Sequence, residues 1–280
     1  MEIITNELAL LKNFGFAWRY GDDNVKALVC LPLEQDGFVN GFSTRTGGVS
    51  PFPENDLNLA GFNEDSAENI HENRRRFLKL FEGEWKLSTR WQIHSADVCV
   101  VRGVKDAMND EERCDALIGN TPDILIGVKT ADCVPVLLGD TKTKAFASIH
   151  AGWRGTASSI VINTLNKMRE EFGTDPKDVR AAIGPAASGK CYEVGAEVIE
   201  IFKNNFAYAD SLLTPTRENH AFIDIKKANQ QQLVSAGVDP EKIHVAPLCT
   251  MTRTDLFFSY RVEKKTNGKT GRLLSVIGRR

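Results

Sequence analysis

The sequence has no apolar run long enough to cross a bilayer, no basic start followed by an apolar stretch of the secretory kind, and no Pro-, Gly- or Ser-rich linker. The first two absences lead to the expectation of a soluble, cytoplasmic protein with no membrane partner. The third leads to a single domain over residues 1–280. Excess charge is also missing: 35 basic and 37 acidic residues are mixed along the chain and leave a net charge of −2. A polyanion needs a concentrated basic face, so no nucleic-acid partner is expected. The nearest approach to such a face, Arg74-Arg75-Arg76, follows His71-Glu72-Asn73 in an amphipathic segment and reads as a solvated helix face.

Cysteine pairs of the C-x-x-C kind are absent. Cys30, Cys99, Cys114, Cys133, Cys191 and Cys249 are scattered over the whole length, which excludes a disulfide framework and a zinc finger or ribbon. Most should be free thiols acting as small core residues. Histidine is scarce, at five residues with no His-x-His pair, and no Walker or Rossmann glycine pattern occurs.

What is present is an ordinary globular composition, 42% hydrophobic and 26% charged, in a chain long enough to bury about three quarters of its unfolded surface. Strand-like runs are Val25 to Leu31, Phe38 to Ser43, Asp97 to Val101, Ile124 to Thr130, Val134 to Leu138, Ala145 to His150, Val179 to Ile183, Ala221 to Ile225, Ile243 to Ala246 and Leu273 to Ile277. Several are continuously apolar, as strands covered on both faces are. Helical spacing lies between them. Asp65 or Ser66 can cap a segment carrying Ile70, Phe77, Leu78 and Phe81, and Thr156 can cap one carrying Ile160, Ile162, Leu165 and Met168, with Gly173 as its stop. Further helices are expected from about Ala196 to Phe206 and from Lys226 to Ala236. Strands interleaved with helices indicate an α/β protein with helices outside a sheet layer.

Three residues with metal-binding side chains sit at or beside the ends of apolar runs, where loops gather and sites form: His94, Cys133 and His150. Two imidazoles and a thiolate suit a borderline-soft ion such as Zn²⁺ and leave a fourth tetrahedral position open. The separations of 39 and 17 residues match no local metal motif, so spacing alone does not join them. His71, His220, His244, Cys30, Cys99 and Cys114 read as ordinary structural residues. Two glycine-flanked turns, Gly152-Trp153-Arg154-Gly155-Thr156 and Ser43-Thr44-Arg45-Thr46-Gly47-Gly48, can offer backbone N–H groups and a guanidinium to an anion.

These segments, with others in the same order, resemble the laccase-domain family, whose members are variously described as multicopper polyphenol oxidase, peptidoglycan editing factor, and purine nucleoside phosphorylase with adenosine deaminase activity. The matching stretches include Gly41-Phe42-Ser43-Thr44-Arg45-Thr46-Gly47-Gly48, Leu57-Asn58-Leu59, Gln92-Ile93-His94, Asp115-Ala116-Leu117, Ala131-Asp132-Cys133-Val134-Pro135 and His150-Ala151-Gly152-Trp153-Arg154-Gly155-Thr156. Further along come Ile183-Gly184-Pro185, Tyr192-Glu193-Val194-Gly195, Cys249-Thr250, Phe257-Phe258-Ser259-Tyr260-Arg261 and Thr270-Gly271-Arg272. The chain departs from the family at Ala187, where isoleucine is common, and at Val262-Glu263, where Arg-Asp is expected.

The resemblance implies that His94, Cys133 and His150 are the metal ligands. It also implies a single-domain layered α/β sandwich with mixed sheets, similar to the catalytic domain of cytotoxic necrotising factor. The leading activity it implies is phosphorolysis of adenosine, inosine or methylthioadenosine and hydrolytic deamination of adenosine, with zinc activating water. Asp132 is then the candidate proton shuttle, and Arg45, Asn58 and Arg154 the candidate phosphate-binding residues. A copper form oxidising phenols is the alternative, although four-copper oxidases need many more than five histidines. A third possibility is a Cys/His hydrolase editing peptidoglycan precursors, with Cys133 as nucleophile and His150 as base.

Overall fold

A strand with apolar residues on both faces needs two covers, and the fold supplies them. The computed structural model describes residues 2–51, 55–61, 65–108 and 112–280. In the strand Ile124–Thr130, Ile124, Ile126 and Val128 enter one buried cluster while Leu125 enters another on the opposite side. In Val134–Asp140, Val134, Val136 and Leu138 face one cluster and Leu137 the other.

Among the described residues, two six-stranded sheets carry this pattern. The first runs Phe16–Tyr20, Lys26–Cys30, Val39–Ser43, Leu273–Arg279, Ile124–Thr130, Lys86–Ser88, antiparallel except at the last pair. The second runs Ile243–Val245, Val179–Ile183, Val134–Asp140, Phe146–Ala151, Ala116–Gly119, Val98–Val101, antiparallel in its centre and parallel at both edges. A three-stranded sheet, Glu193–Gly195, His220–Ile223 and Leu213–Pro215, stands apart from both.

Phe16, Leu28, Phe42, Ile126, Leu137 and Phe146 fill the space between the two large sheets. The outer face of the second is covered by the helices Ile160–Phe172, Ala196–Asn205 and Ile225–Ser235, through Val161, Leu165, Met168, Phe202 and Leu233. The outer face of the first is covered by the helix Ala67–Leu78 and the turn after it, through Phe77, Leu80 and Phe81. The result is a layered α/β fold with mixed sheets, as the sequence led us to expect. No helix among the described residues is long and apolar enough to cross a membrane.

Local signals explain most boundaries. Ser66 caps Ala67–Leu78 by accepting a hydrogen bond from Asn69 N at 3.2 Å. The basic run at its end is tied into the fold: Arg75 and Arg76 pair with Glu72, and Arg76 also donates to Gly47 O. Gly173, at φ 72°, stops Ile160–Phe172. Thr156, expected to cap that helix, does not. It lies within the short helix Trp153–Ala157, buried, where its hydroxyl accepts from Asn229 Nδ2 and its carbonyl from Gln232 Nε2. Ser159, at φ 59°, makes the break between the two helices.

The expected Ala221 to Ile225 strand is His220–Ile223, because Asp224 turns the chain and caps the next helix through Lys227 N. The helix Glu2–Asn13 and the strands Phe16–Tyr20, Thr46–Ser50, Lys86–Ser88 and Ala116–Gly119 were not expected.

The sheets approach closely where Gly184 follows the strand Val179–Ile183: a Cβ there would fall 2.3 Å from two ring carbons of Phe42 and 2.9 Å from Pro135 Cγ. Phe42 is itself fully enclosed. Gly184→Ala is expected to destabilise the fold by about 1–3 kcal/mol through overpacking, read as a lower urea midpoint with an unchanged slope.

Candidate metal centre

The chain crosses from one large sheet to the other between Thr130 and Val134, and Cys133 sits at that crossing. The crossing is tight enough to force Asp132 to φ 85°. Next to it in the second sheet, His150 opposes Pro135 and Ala151 opposes Val134, so register alone brings His150 beside Cys133. His94 arrives from the loop between Lys86–Ser88 and Val98–Val101, itself at φ 61°.

The donor atoms of His94, Cys133 and His150 all lie within 4.8 Å of one another. The two imidazole rings meet edge to face, with centroids 4.9 Å apart. A Cβ on Gly152 would stand 3.1 Å from Cys133 Sγ and 3.3 Å from His94 Cδ2, so glycine leaves the space between the donors clear.

The loop bearing His94 is held by a residue that the sequence did not single out as functional. Asp115, fully buried, accepts hydrogen bonds from three successive backbone N–H groups: Ile93 at 3.1 Å, His94 at 3.0 Å and Ser95 at 2.7 Å. It also accepts from Ser95 Oγ at 3.0 Å and, at 2.7 Å, from His150 Nδ1. Burial would raise this carboxyl, but the His150 hydrogen bond and charge and the backbone donors outweigh it and hold it below the ordinary range. Asp115 is therefore ionised, Nδ1 carries the hydrogen, and His150 Nε2 is the nitrogen left for a metal, the arrangement that orients metal-binding histidines. Gln92 secures the same loop by exchanging two hydrogen bonds of 2.7 Å with the backbone of Lys129.

Burial would raise the Cys133 thiol, yet the charge of His150 and hydrogen bonds from His150 and His94 lower it to about 6. Burial would lower His150, yet the Cys133 thiolate and the Asp115 hydrogen bond raise it to about 9. Between those values the metal-free site holds a thiolate and an imidazolium. A soft nucleophilic sulfur and two nitrogens, gathered and cleared of other atoms, fit a zinc-like ion with one position open.

The other expected site residues are placed differently. Arg45 is buried and committed to the fold: Nε and Nη2 grip Asp56 at 3.1 and 2.8 Å, and Nη1 donates to Glu263 at 2.8 Å and Thr254 O at 2.9 Å. These four bonds use all but one of its five N–H donors, so Arg45 is engaged chiefly with the fold. Asn58 Oδ1 accepts from Arg272 N at 2.9 Å and Ala60 N at 3.2 Å, so it positions the backbone of Arg272. Asp132, expected as a proton shuttle, is buried and accepts from Thr250 Oγ1, Ser259 Oγ and Arg261 N at 2.6, 3.0 and 2.7 Å. With burial raising its pKa against these donors, its geometry is that of a brace for the crossing. Arg154 stacks on Trp153 at 4.2 Å and borders a hollow of about 250 Å³ shared with His94 and Cys133, where Ala187 also lies.

On the other side of the donors opens a cleft of about 430 Å³ walled by Trp91, Gln92, Lys129, Tyr260 and Arg272. The rings of Trp91 and Tyr260 are half exposed. Neither aromatic was recognised as part of a site from sequence, although Trp91 stands three residues before His94.

Two results are expected. In metal-free protein the rate of Cys133 alkylation should reach half its maximum near pH 6, and His150→Phe should move that midpoint upward, since it removes the charge that stabilises the thiolate. Asp115→Asn should weaken zinc binding by about 10- to 100-fold in competition with a chromophoric chelator. An unchanged affinity would remove Asp115 from the site.

Comparison with known proteins identifies the family. The family model described as "Multi-copper polyphenol oxidoreductase laccase" matches residues 39–280. The "Purine nucleoside phosphorylase" of Bacteroides thetaiotaomicron is 36% identical over 246 residues, covering 84% of this chain and 89% of that protein. "Purine nucleoside phosphorylase YfiH" of Escherichia coli is 35% identical over 237 residues, covering 84% and 91%. The crystal structure of YlmD from Geobacillus stearothermophilus superposes with a TM-score of 0.85 at 30% identity, over 94% of this chain and 100% of that one. This chain belongs to the family described as the multi-copper polyphenol oxidoreductase laccases.

Proposed function

We propose that this chain is a zinc-dependent purine nucleoside phosphorylase acting on adenosine, inosine or methylthioadenosine, and that the same site deaminates adenosine. The reading is supported by relatives named purine nucleoside phosphorylase over most of their length. The observation that carries it is the position of the donors: His94, Cys133 and His150 stand in the wall of a cleft that also presents two aromatic rings and two cations. Trp91 and Tyr260 offer flat faces on which a purine stacks. Lys129 and Arg272 supply positive charge for phosphate, in the role first expected of Arg45. Asn58 supports Arg272 from behind, and Arg154 guards the hollow on the far side of Cys133. Bound between the three donors, zinc would supply Lewis acidity at the reacting end of the cleft.

Copper-dependent phenol oxidation is the reading that the family description favours. Its difficulty is the donor set. Among the described residues, His94, Cys133 and His150 are the one group of three His, Cys, Asp or Glu side chains gathered closely enough to hold an ion, and a four-copper centre needs several. A Cys/His hydrolase is favoured by a different observation, the Cys133 thiolate paired with a His150 that Asp115 orients. Loss of activity on chelation and recovery with zinc would exclude it.

Zinc-loaded protein given inosine and phosphate should release hypoxanthine and ribose 1-phosphate, and given adenosine should also release ammonia. Trp91→Ala should raise KM for the nucleoside about tenfold by removing a stacking face, and Cys133→Ser should abolish turnover. Release of neither base nor ammonia would refute the proposal, and copper-dependent turnover of a phenol in its place would establish the alternative.

A further inference from the structure

Apart from the metal centre, one close gathering of reactive side chains among the described residues is made of sulfur. Cys191 Sγ lies 3.3 Å from Cys249 Sγ and 3.7 Å from Met251 Sδ. A disulfide closes at about 2.05 Å, so the two sulfurs need to approach by only about 1.2 Å. Cys249 is fixed in place: it pairs with Ala186 in an isolated bridge, its neighbour Thr250 N donates to Ala186 O at 3.2 Å, and Ser188 N donates to its sulfur at 3.3 Å. Cys191 is on the adaptable side, at the end of a turn closed by its N–H to Ser188 O at 3.1 Å.

The two thiols are also unequal. Burial would raise Cys249, but the Ser188 hydrogen bonds and the Cys191 thiol lower it to about 7. Burial pushes Cys191 the other way. Close to both is the positive charge of Lys226, whose Nζ donates to the carbonyls of Ala246 and Leu248. A pair in which one sulfur is ionised near neutral pH and the other is still protonated is the combination that thiol oxidation uses.

We propose that Cys191 and Cys249 form a dithiol that peroxides convert to a reversible intramolecular disulfide, linked to the metal centre through the residues that follow each cysteine. Tyr192 borders the hollow beside Cys133 and lies under the Arg261 guanidinium at 4.8 Å. Thr250 donates at 2.6 Å to Asp132, the residue before Cys133. Drawing Cys191 toward the fixed Cys249 therefore moves Tyr192 at the hollow, while Thr250 keeps the other side anchored to the crossing that carries a metal donor.

The chemistry balances with a peroxide as the only oxidant. The Cys249 thiolate attacks one peroxide oxygen, an S–O bond forms, the O–O bond breaks, and the departing hydroxide takes a proton to leave as water. Cys191 sulfur then attacks Cys249 sulfur, the S–S bond forms, the S–O bond breaks, and the second oxygen leaves as water with the proton that Cys191 gives up. Two thiols lose two hydrogens and one hydrogen peroxide becomes two waters. A small dithiol reverses the change by exchange.

The test treats the protein as isolated with stoichiometric hydrogen peroxide and maps the non-reduced peptides by mass spectrometry. The expected result is a cross-linked peptide pair containing Cys191 and Cys249, two hydrogen masses lighter than the separate peptides. Thiols titrated after unfolding in denaturant should fall by two from the original six, with recovery in dithiothreitol. In C191S the same treatment should leave a sulfenic acid on Cys249 that a dione reagent traps. Loss of thiols without this cross-link, or survival of all six, overturns the proposal. The link to the centre is read separately, after chelation, as the alkylation rate of Cys133 in oxidised and reduced protein. A change of threefold or more supports it, and equal rates overturn it.

Discussion

The carboxylate of Asp115 has no access to water, so each hydrogen bond it accepts must come from the protein, and it collects five. Three of them fix the backbone around His94 in a left-handed turn that an L-residue rarely adopts. Another fixes the ring of His150. A single buried charge thus sets the positions of two of the three metal-binding side chains. It also links a ligand carried by a loop, His94, to one carried by a central strand, His150. Without the carboxylate, three backbone N–H groups would be left without an acceptor at a cost of about 1–3 kcal/mol each, and the loop would have no reason to keep its shape.

The remaining donor is placed by the architecture. Two sheets packed face to face require the chain to cross between them, and Cys133 lies at such a crossing, next to the strand that holds His150. Asp132 ties the crossing to Thr250, Ser259 and Arg261, and the Arg45 pairs with Asp56 and Glu263 anchor the segment just beyond. Two of the charged groups that read from sequence as candidates for chemistry are also tied into the fold. Arg45 and Asp132 are buried and hydrogen-bonded, and the cations that face the cleft, Lys129 and Arg272, were assigned no role from sequence.

That contrast marks how far the sequence could be read. Long apolar runs such as Ile124–Thr130 and Val179–Ile183 appeared with their true ends, because both faces are buried and the pattern is continuous. Short strands such as Ala116–Gly119 and Lys86–Ser88 carry too few residues to show a period, and their pairing is decided by partners far along the chain. The helix start assigned to Thr156 failed because a left-handed Ser159 splits one helical pattern into two helices. His94, Cys133 and His150 were visible as residue types, but their meeting depends on strand order and on Asp115. Spacing records neither, so the grouping came from family resemblance. Asp115 stood in plain view before an apolar run, with nothing local to say that its partners lay about 20 and 35 positions away along the chain.

The central claim is that this scaffold holds one metal ion between His94, Cys133 and His150 with a position open toward the cleft. Diffraction recorded on both sides of the zinc and copper absorption edges, from crystals of the protein as isolated and soaked with inosine, tests it most directly. The account predicts a single anomalous peak, at the zinc edge, bonded to those three side chains and facing the soaked purine. A peak elsewhere, several copper peaks, or a site that stays without metal when zinc is supplied would contradict it.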